Sequence, residues 1–209
     1  MISESYHHFD LKTDSGFKTF FGSPCRESEY CLKSFLSALT RQKISSLTVS
    51  NSNPESRLPL GISCIFENGN KAEFEIQVVN TSDSIYKRAD FYTAKVCASV
   101  MTSGLHFQNT PSLYRIFITD FNSFSGNDFC KEFVFSDPKT NRLLTDSLRI
   151  IFIELPKLPG LTGNSKALNE LEFWSMLIKD SRFMLTSGTK AFSKEKEMAE
   201  TILSYVSPE

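Results

Sequence analysis

Two β-rich runs joined by an Asn-Gly turn constrain this chain more than any other stretch. Leu60 to Phe66 reads as one strand, Glu67-Asn68-Gly69-Asn70 as a turn, and Lys71 to Val79 as the return strand. Asn and Gly both tolerate positive φ, which makes their dipeptide the strongest short hairpin signal.

The elements around this hairpin alternate between helical and strand periods. Phe17, Phe20 and Phe21 fall at i, i+3 and i+4 and predict a short helix, with Asp14 as N-cap and Gly22 as C-cap. Tyr30, Leu32, Phe35, Leu36, Ala38 and Leu39 have amphipathic spacing and predict a second helix from Glu27 to Thr40. Ile44 to Val49 reads as a short strand, and Asn51 to Pro59 as a loop. Beyond the hairpin, Ser84 to Ser103 reads as a long helix that stops at Gly104. Leu113 to Asp120, Phe129 to Ser136 and Leu148 to Leu155 read as strands, with a turn over Asp137 to Asn141. Asn169 to Lys179 and Ser193 to Val206 close the chain as helices. Helices mixed with strands in this order predict an α/β fold around a central mixed sheet.

The bulk numbers exclude several classes. The chain has 209 residues and suits one domain, or one domain with an appendage. Formal net charge is -1, so any nucleic-acid contact must use a local cluster of Lys and Arg rather than bulk charge. The 19 Phe read as an aromatic core before they read as base-stacking platforms. The five cysteines are odd in number and lack C-x-x-C spacing, which speaks against a zinc site and for free thiols in a reducing compartment. No signal segment is visible, and no stretch approaches the roughly 18 apolar residues of a membrane helix. The expected location is intracellular, cytoplasmic or nuclear.

Four stretches together carry a resemblance. The first is Asp14 to Gly22, with Asp14, Phe17, Lys18, Phe21 and Gly22 in a D-x-x-F-K-x-x-F-G pattern. The second is the hairpin through Glu75-Ile76-Gln77. The third is Tyr86-Lys87-Arg88-Ala89-Asp90-Phe91-Tyr92. The fourth runs from Thr145-Asp146 into Ile151-Phe152-Ile153-Glu154-Leu155-Pro156-Lys157. In this order they resemble the PD-(D/E)XK nuclease superfamily, specifically the recombination-promoting nuclease and transposase family.

The resemblance implies a restriction-endonuclease-like core over residues 1–160, with residues 161–209 as a C-terminal helical extension on or next to it. It also implies a DNA endonuclease of recombination or transposition that uses Mg2+ or Mn2+. In such enzymes divalent metals generate hydroxide and stabilise the leaving oxygen, and these hard cations take carboxylate oxygens. Glu75 matches the metal-binding glutamate and Gln77 the residue two positions on that orients water or phosphate. Period-2 geometry puts both on one face of the sheet. Lys18, Lys87 and Arg88 are the implied nucleic-acid contacts: Arg88 to phosphate or to Glu75, and Lys18 in support of the site or to a phosphate, each weighed against a solvated helix position.

One position departs from the pattern. Where the family carries its first metal-binding Asp, this chain has Gly61. The spacing across the turn is kept, so Gly61 is a substitution rather than a register slip. Glu73, two residues before Glu75, is expected on the same face and is the best substitute ligand, against the plainer reading of a solvated strand residue. Glu154, amid β-branched and aromatic residues, is expected to be paired with a Lys or Arg. His7, His8 and His106 are scattered; His7-His8 has metal-binding chemistry in principle but reads as an exposed N-terminal pair. Two functions stay open: a metal-dependent endonuclease impaired at Gly61, and a non-catalytic DNA- or protein-binding domain derived from that family. A homo-oligomer is left open as well.

Overall fold

The fold is seen in a computed structural model that describes residues 10–50, 52–55, 58–79, 85–87, 94, 111–158, 168–186 and 191–206. Six strands form one mixed sheet: β1 (Ile44–Ser50), β2 (Leu60–Phe66), β3 (Lys71–Val79), β4 (Ser112–Thr119), β5 (Cys130–Ser136) and β6 (Leu143–Glu154), in the order β1-β2-β3-β4-β6-β5. The β1-β2-β3 meander is antiparallel, β3-β4-β6 is parallel, and β5 closes the far edge antiparallel to β6. The helices are α1 (Asp14–Gly22), α2 (Arg26–Thr40), α3 (Glu170–Lys179), α4 (Ser181–Thr186) and α5 (Ser193–Val206), with a 3-10 turn at Leu155–Lys157. The α/β architecture and the central mixed sheet match the expectation.

The hairpin forms where the sequence places it. Gly69 sits in the turn at φ 84°, a conformation that costs glycine little. The Phe66 N–H donates to the Asn70 carbonyl at 2.9 Å and closes the strands above it. Glu67 N–H reaches across to the Lys43 carbonyl at 2.9 Å, tying the turn to the start of β1.

One face of the sheet carries the main core. Phe74, Ile76 and Val78 of β3 alternate with polar neighbours and meet Phe17, Phe20 and Phe21 of α1, Leu32 and Phe35 of α2, Phe173 and Trp174 of α3 and Ile202 of α5 in one cluster. The aromatic expectation for Phe holds here: Phe21 lies 5.7 Å from Phe35 and 6.0 Å from Trp174 between ring centres. Gly16 is required by a close approach, because a Cβ there would lie 2.1 Å from the Asp10 carbonyl oxygen. The opposite face has a smaller cluster of Val79, Ile85, Phe117 and Phe152, bordered by Phe121, Phe124 and Ile150.

Several boundaries differ from the sequence reading, each for a physical reason. Thr13, not Asp14, caps α1, because its hydroxyl accepts from the Gly16 N–H at 3.0 Å. β6 begins at Leu143 rather than Leu148. Its first half pairs with β5 in an exposed arm, where neither face is buried, so no period-2 signal marks it. Phe135 and Leu144 are exposed on that arm. Helix α4 was not foreseen. The expected helix over Ser84 to Ser103 lies mostly outside the described residues; 85–87 and 94 are helical.

Candidate active site

The face of the sheet opposite the main core brings the hairpin residues together. Gly61 on β2 stands directly opposite Glu75 on β3. Glu75 in turn is level with Arg115 on β4, and Gln77 with Phe117. Residues at these registers share a face, because strand side chains alternate with period 2 and partners in register point the same way. The expected opposition of residue 61 and Glu75 across the hairpin is therefore present.

Gly61 is buried and lies within the strand; the described glycines with positive φ are Gly69 and Gly126. Its backbone is thus one that other residues adopt. Directly opposed Cβ atoms in an antiparallel pair lie about 4.5–5.5 Å apart, so an aspartate at 61 would face Glu75 at a distance one cation spans. Glycine supplies no oxygen there.

Arg115 dominates what remains. Its side chain is 2% exposed, and its Nη1 donates to Glu75 Oε2 at 2.5 Å. Its Nη2 donates to Gln77 Oε1 at 3.1 Å. The guanidinium carbon also lies 4.9 Å from the centre of the Phe117 ring, within cation–π range. A buried guanidinium must be paired, and this one is, by the two residues the family motif supplies. Arg115 was missed in the sequence. The signal existed: a single charge inside Leu113-Tyr114-Arg115-Ile116-Phe117-Ile118, a run that otherwise reads as fully buried.

The other candidates fall at various distances from this cluster. Glu73 shares its face, and its Oε2 accepts from the Ser63 hydroxyl at 2.7 Å, directly across the strand pair. Lys18 is not an exposed residue on α1: its side chain is fully buried and its ammonium is bound to Asp14. Lys87 is exposed in the helical segment 85–87. The neighbouring Tyr86 packs its ring 5.5 Å from Phe124, and its hydroxyl donates to the Ser123 carbonyl. Arg88, His7, His8 and His106 lie outside the described residues. Glu154 is paired as expected, with Lys157 Nζ at 2.6 Å and the backbone N–H groups of Ser123 and Phe124.

Magnesium or manganese at this face needs several oxygen ligands converging on one point. Among the described residues no group of three or more His, Cys, Asp or Glu side chains has that arrangement. Of the motif residues, Gly61 offers nothing, the Glu75 carboxylate is engaged by Arg115, and Glu73 is engaged by Ser63. Among the described residues, the donor set does not fit the metal that the family pattern implies.

No helix among the described residues is long and apolar enough to cross a membrane. Neither a curated protein nor a solved structure matches the chain. A family model does, over residues 11–209, and its description is PD-(D/E)XK nuclease family transposase. With the hairpin, the Glu75-x-Gln77 motif and the mixed sheet in place over that length, the chain belongs to the PD-(D/E)XK nuclease family of transposases.

Proposed function

We propose that this chain is a member of that family which contacts DNA but does not hydrolyse it. The observation that carries the reading is Gly61 in register with Glu75. Phosphodiester hydrolysis in this family relies on a divalent metal to lower the pKa of water and to stabilise the leaving oxygen. Among the described residues the motif offers one carboxylate at this level, already bonded to a buried arginine, which is a poor ligand set for a hard cation. Glu73 is a weak replacement. It sits two residues along β3, about 6.6 Å from the level of Glu75, and it is opposite Ser63 rather than residue 61.

DNA remains the proposed partner because the family acts on it and because Lys87 is exposed beside the second apolar cluster. With a formal net charge of -1, binding must come from a local patch and must weaken steeply with salt.

The test has two arms. Supercoiled plasmid incubated with the purified chain and millimolar Mg2+ or Mn2+ should stay uncut. Fluorescence anisotropy with a labelled duplex should show salt-dependent binding that Lys87→Ala weakens. Robust nicking that Glu75→Ala abolishes would sink the non-hydrolytic reading. Absence of binding at low salt would remove DNA as the partner.

A further inference from the structure

We infer that the Arg115 guanidinium is the resident cation of this sheet face: it occupies the charge-balancing place of a divalent metal and holds Glu75 and Gln77 as one fixed cluster. The inference rests on the non-hydrolytic reading and names what replaced the metal's charge.

Three observations converge on it. Arg115 is level with Glu75 on the adjacent parallel strand, so its side chain leaves the sheet on the same face. Its two terminal nitrogens contact the two residues of the Glu75-x-Gln77 motif, one each, at 2.5 and 3.1 Å. It is held in that pose from the side by the Phe117 ring at 4.9 Å and is almost wholly buried, whereas the Glu75 side chain is 28% exposed.

The physical consequence is exclusion. A divalent cation approaching Glu75 would meet a fixed positive charge within hydrogen-bond distance of the same oxygen. Displacing that charge would break the ion pair between the buried guanidinium and Glu75, which is unfavourable. Removal of the Asp at position 61 and placement of Arg115 therefore act in the same direction. One takes away a negative ligand, and the other adds a permanent positive charge that cannot be deprotonated. Restoring an aspartate at position 61 is then insufficient by itself to rebuild a metal site.

This predicts a pattern across wild type, Gly61→Asp, Arg115→Met and Gly61→Asp/Arg115→Met, with two further double variants as controls. Each is melted in chelator and then with manganese chloride. In chelator, Arg115→Met should melt below wild type, and adding Glu75→Gln to Arg115→Met should recover part of that loss, because it removes the charge that Arg115 balanced. With manganese, wild type, Gly61→Asp and Arg115→Met should not move. The Gly61→Asp/Arg115→Met protein should rise by about 3–6 °C at roughly ten times its dissociation constant. Gly61→Asp/Arg115→Lys, which keeps the cation, should again ignore manganese. If the methionine double variant fails to fold, Arg115→Gln takes its place, since it retains a hydrogen-bonding side chain without charge.

A manganese response in Gly61→Asp alone equal to that of the double variant would overturn the inference. So would a folded double variant that ignores manganese. Both outcomes are read without DNA, so they are separate from the nicking assay that decides the non-hydrolytic reading.

Discussion

Lys157 Nζ lies 2.6 Å from Glu154 Oε2, and the two side chains are 7% and 0% exposed. The same ammonium donates to the Phe124 carbonyl at 2.6 Å, while the other Glu154 oxygen accepts from the Phe124 N–H at 2.9 Å. One buried pair thus fastens the segment after β4 to the end of β6. Removing one partner leaves an uncompensated buried charge, which costs about 3–5 kcal/mol. Lys157→Met should therefore lower stability by that order in urea denaturation, and Glu154→Gln/Lys157→Met should be less damaged than the sum of its single changes. A loss under about 1 kcal/mol for Lys157→Met would mean the pair is not holding the segment.

Gly69 offers a clean test of the hairpin turn. Its φ of 84° is unfavourable for a residue with a Cβ, yet a Cβ there would meet nothing within 4 Å. Gly69→Ala should then cost about 1–2 kcal/mol through backbone conformation alone. Gly69→Asn should cost less, because Asn tolerates this region. Equal effects from both, measured in urea, would point to a side-chain clash instead.

Trp174 is the single tryptophan and is fully buried, with its indole N–H donating to Ser34 Oγ at 3.0 Å. Its emission should be blue-shifted in the native protein and move to the red in the same transition that far-ultraviolet circular dichroism reports. Trp174→Ala should cost about 3–5 kcal/mol, the range for emptying a large aromatic site. Noncoincident transitions would show that α3 unfolds separately from the sheet.

Burial pushes the Cys64 and Cys130 thiols up to about 11, and the Cys31 thiol is raised further by burial with Cys25 and Glu195 nearby. At pH 8 only about one Cys64 or Cys130 thiol in a thousand is thiolate, and thiolate is the reactive form. Iodoacetamide should label the half-buried Cys25 well before the buried Cys31 and Cys64 in the native chain, with the differences lost in urea. The sign for stability follows from the raised values. The native state keeps protons that the unfolded chain releases, so this contribution is whole below about pH 8.5 and declines as pH rises toward 11. Mass spectrometry of the labelled peptides and urea midpoints at pH 8 and 10 check both halves.

What could be read from the sequence was local. The hairpin was legible to the residue at both strands, because Asn68-Gly69 fixes the turn and the turn fixes which residue faces Glu75. Glu154 was legible as a carboxylate at a strand end or in a pair, since an unpaired charge among Ile151, Phe152 and Ile153 is costly. The pairing of Glu75 with Arg115 was not legible. Arg115 is 40 residues away along the chain, and only the parallel pairing of β3 with β4 makes them neighbours. The i,i+4 spacing of Asp14 and Lys18 is readable in the sequence, but the burial of Lys18 was missed, because it depends on what packs over α1 and not on the helix itself. The early start of β6 was hidden because an arm exposed on both faces leaves no alternation to read.

The order of the strands has a consequence for how the polar face is assembled in time. β1, β2 and β3 follow one another and pair antiparallel, so short loop closures bring Gly61 opposite Glu75 early. Arg115 arrives only when β4 docks, after closure over the whole of residues 80–111. Until then the Glu75 carboxylate stays wet and costs little. The group that docking buries is the guanidinium, and it meets a carboxylate already set on β3, so in this order the chain never has to bury Arg115 without that counter-charge.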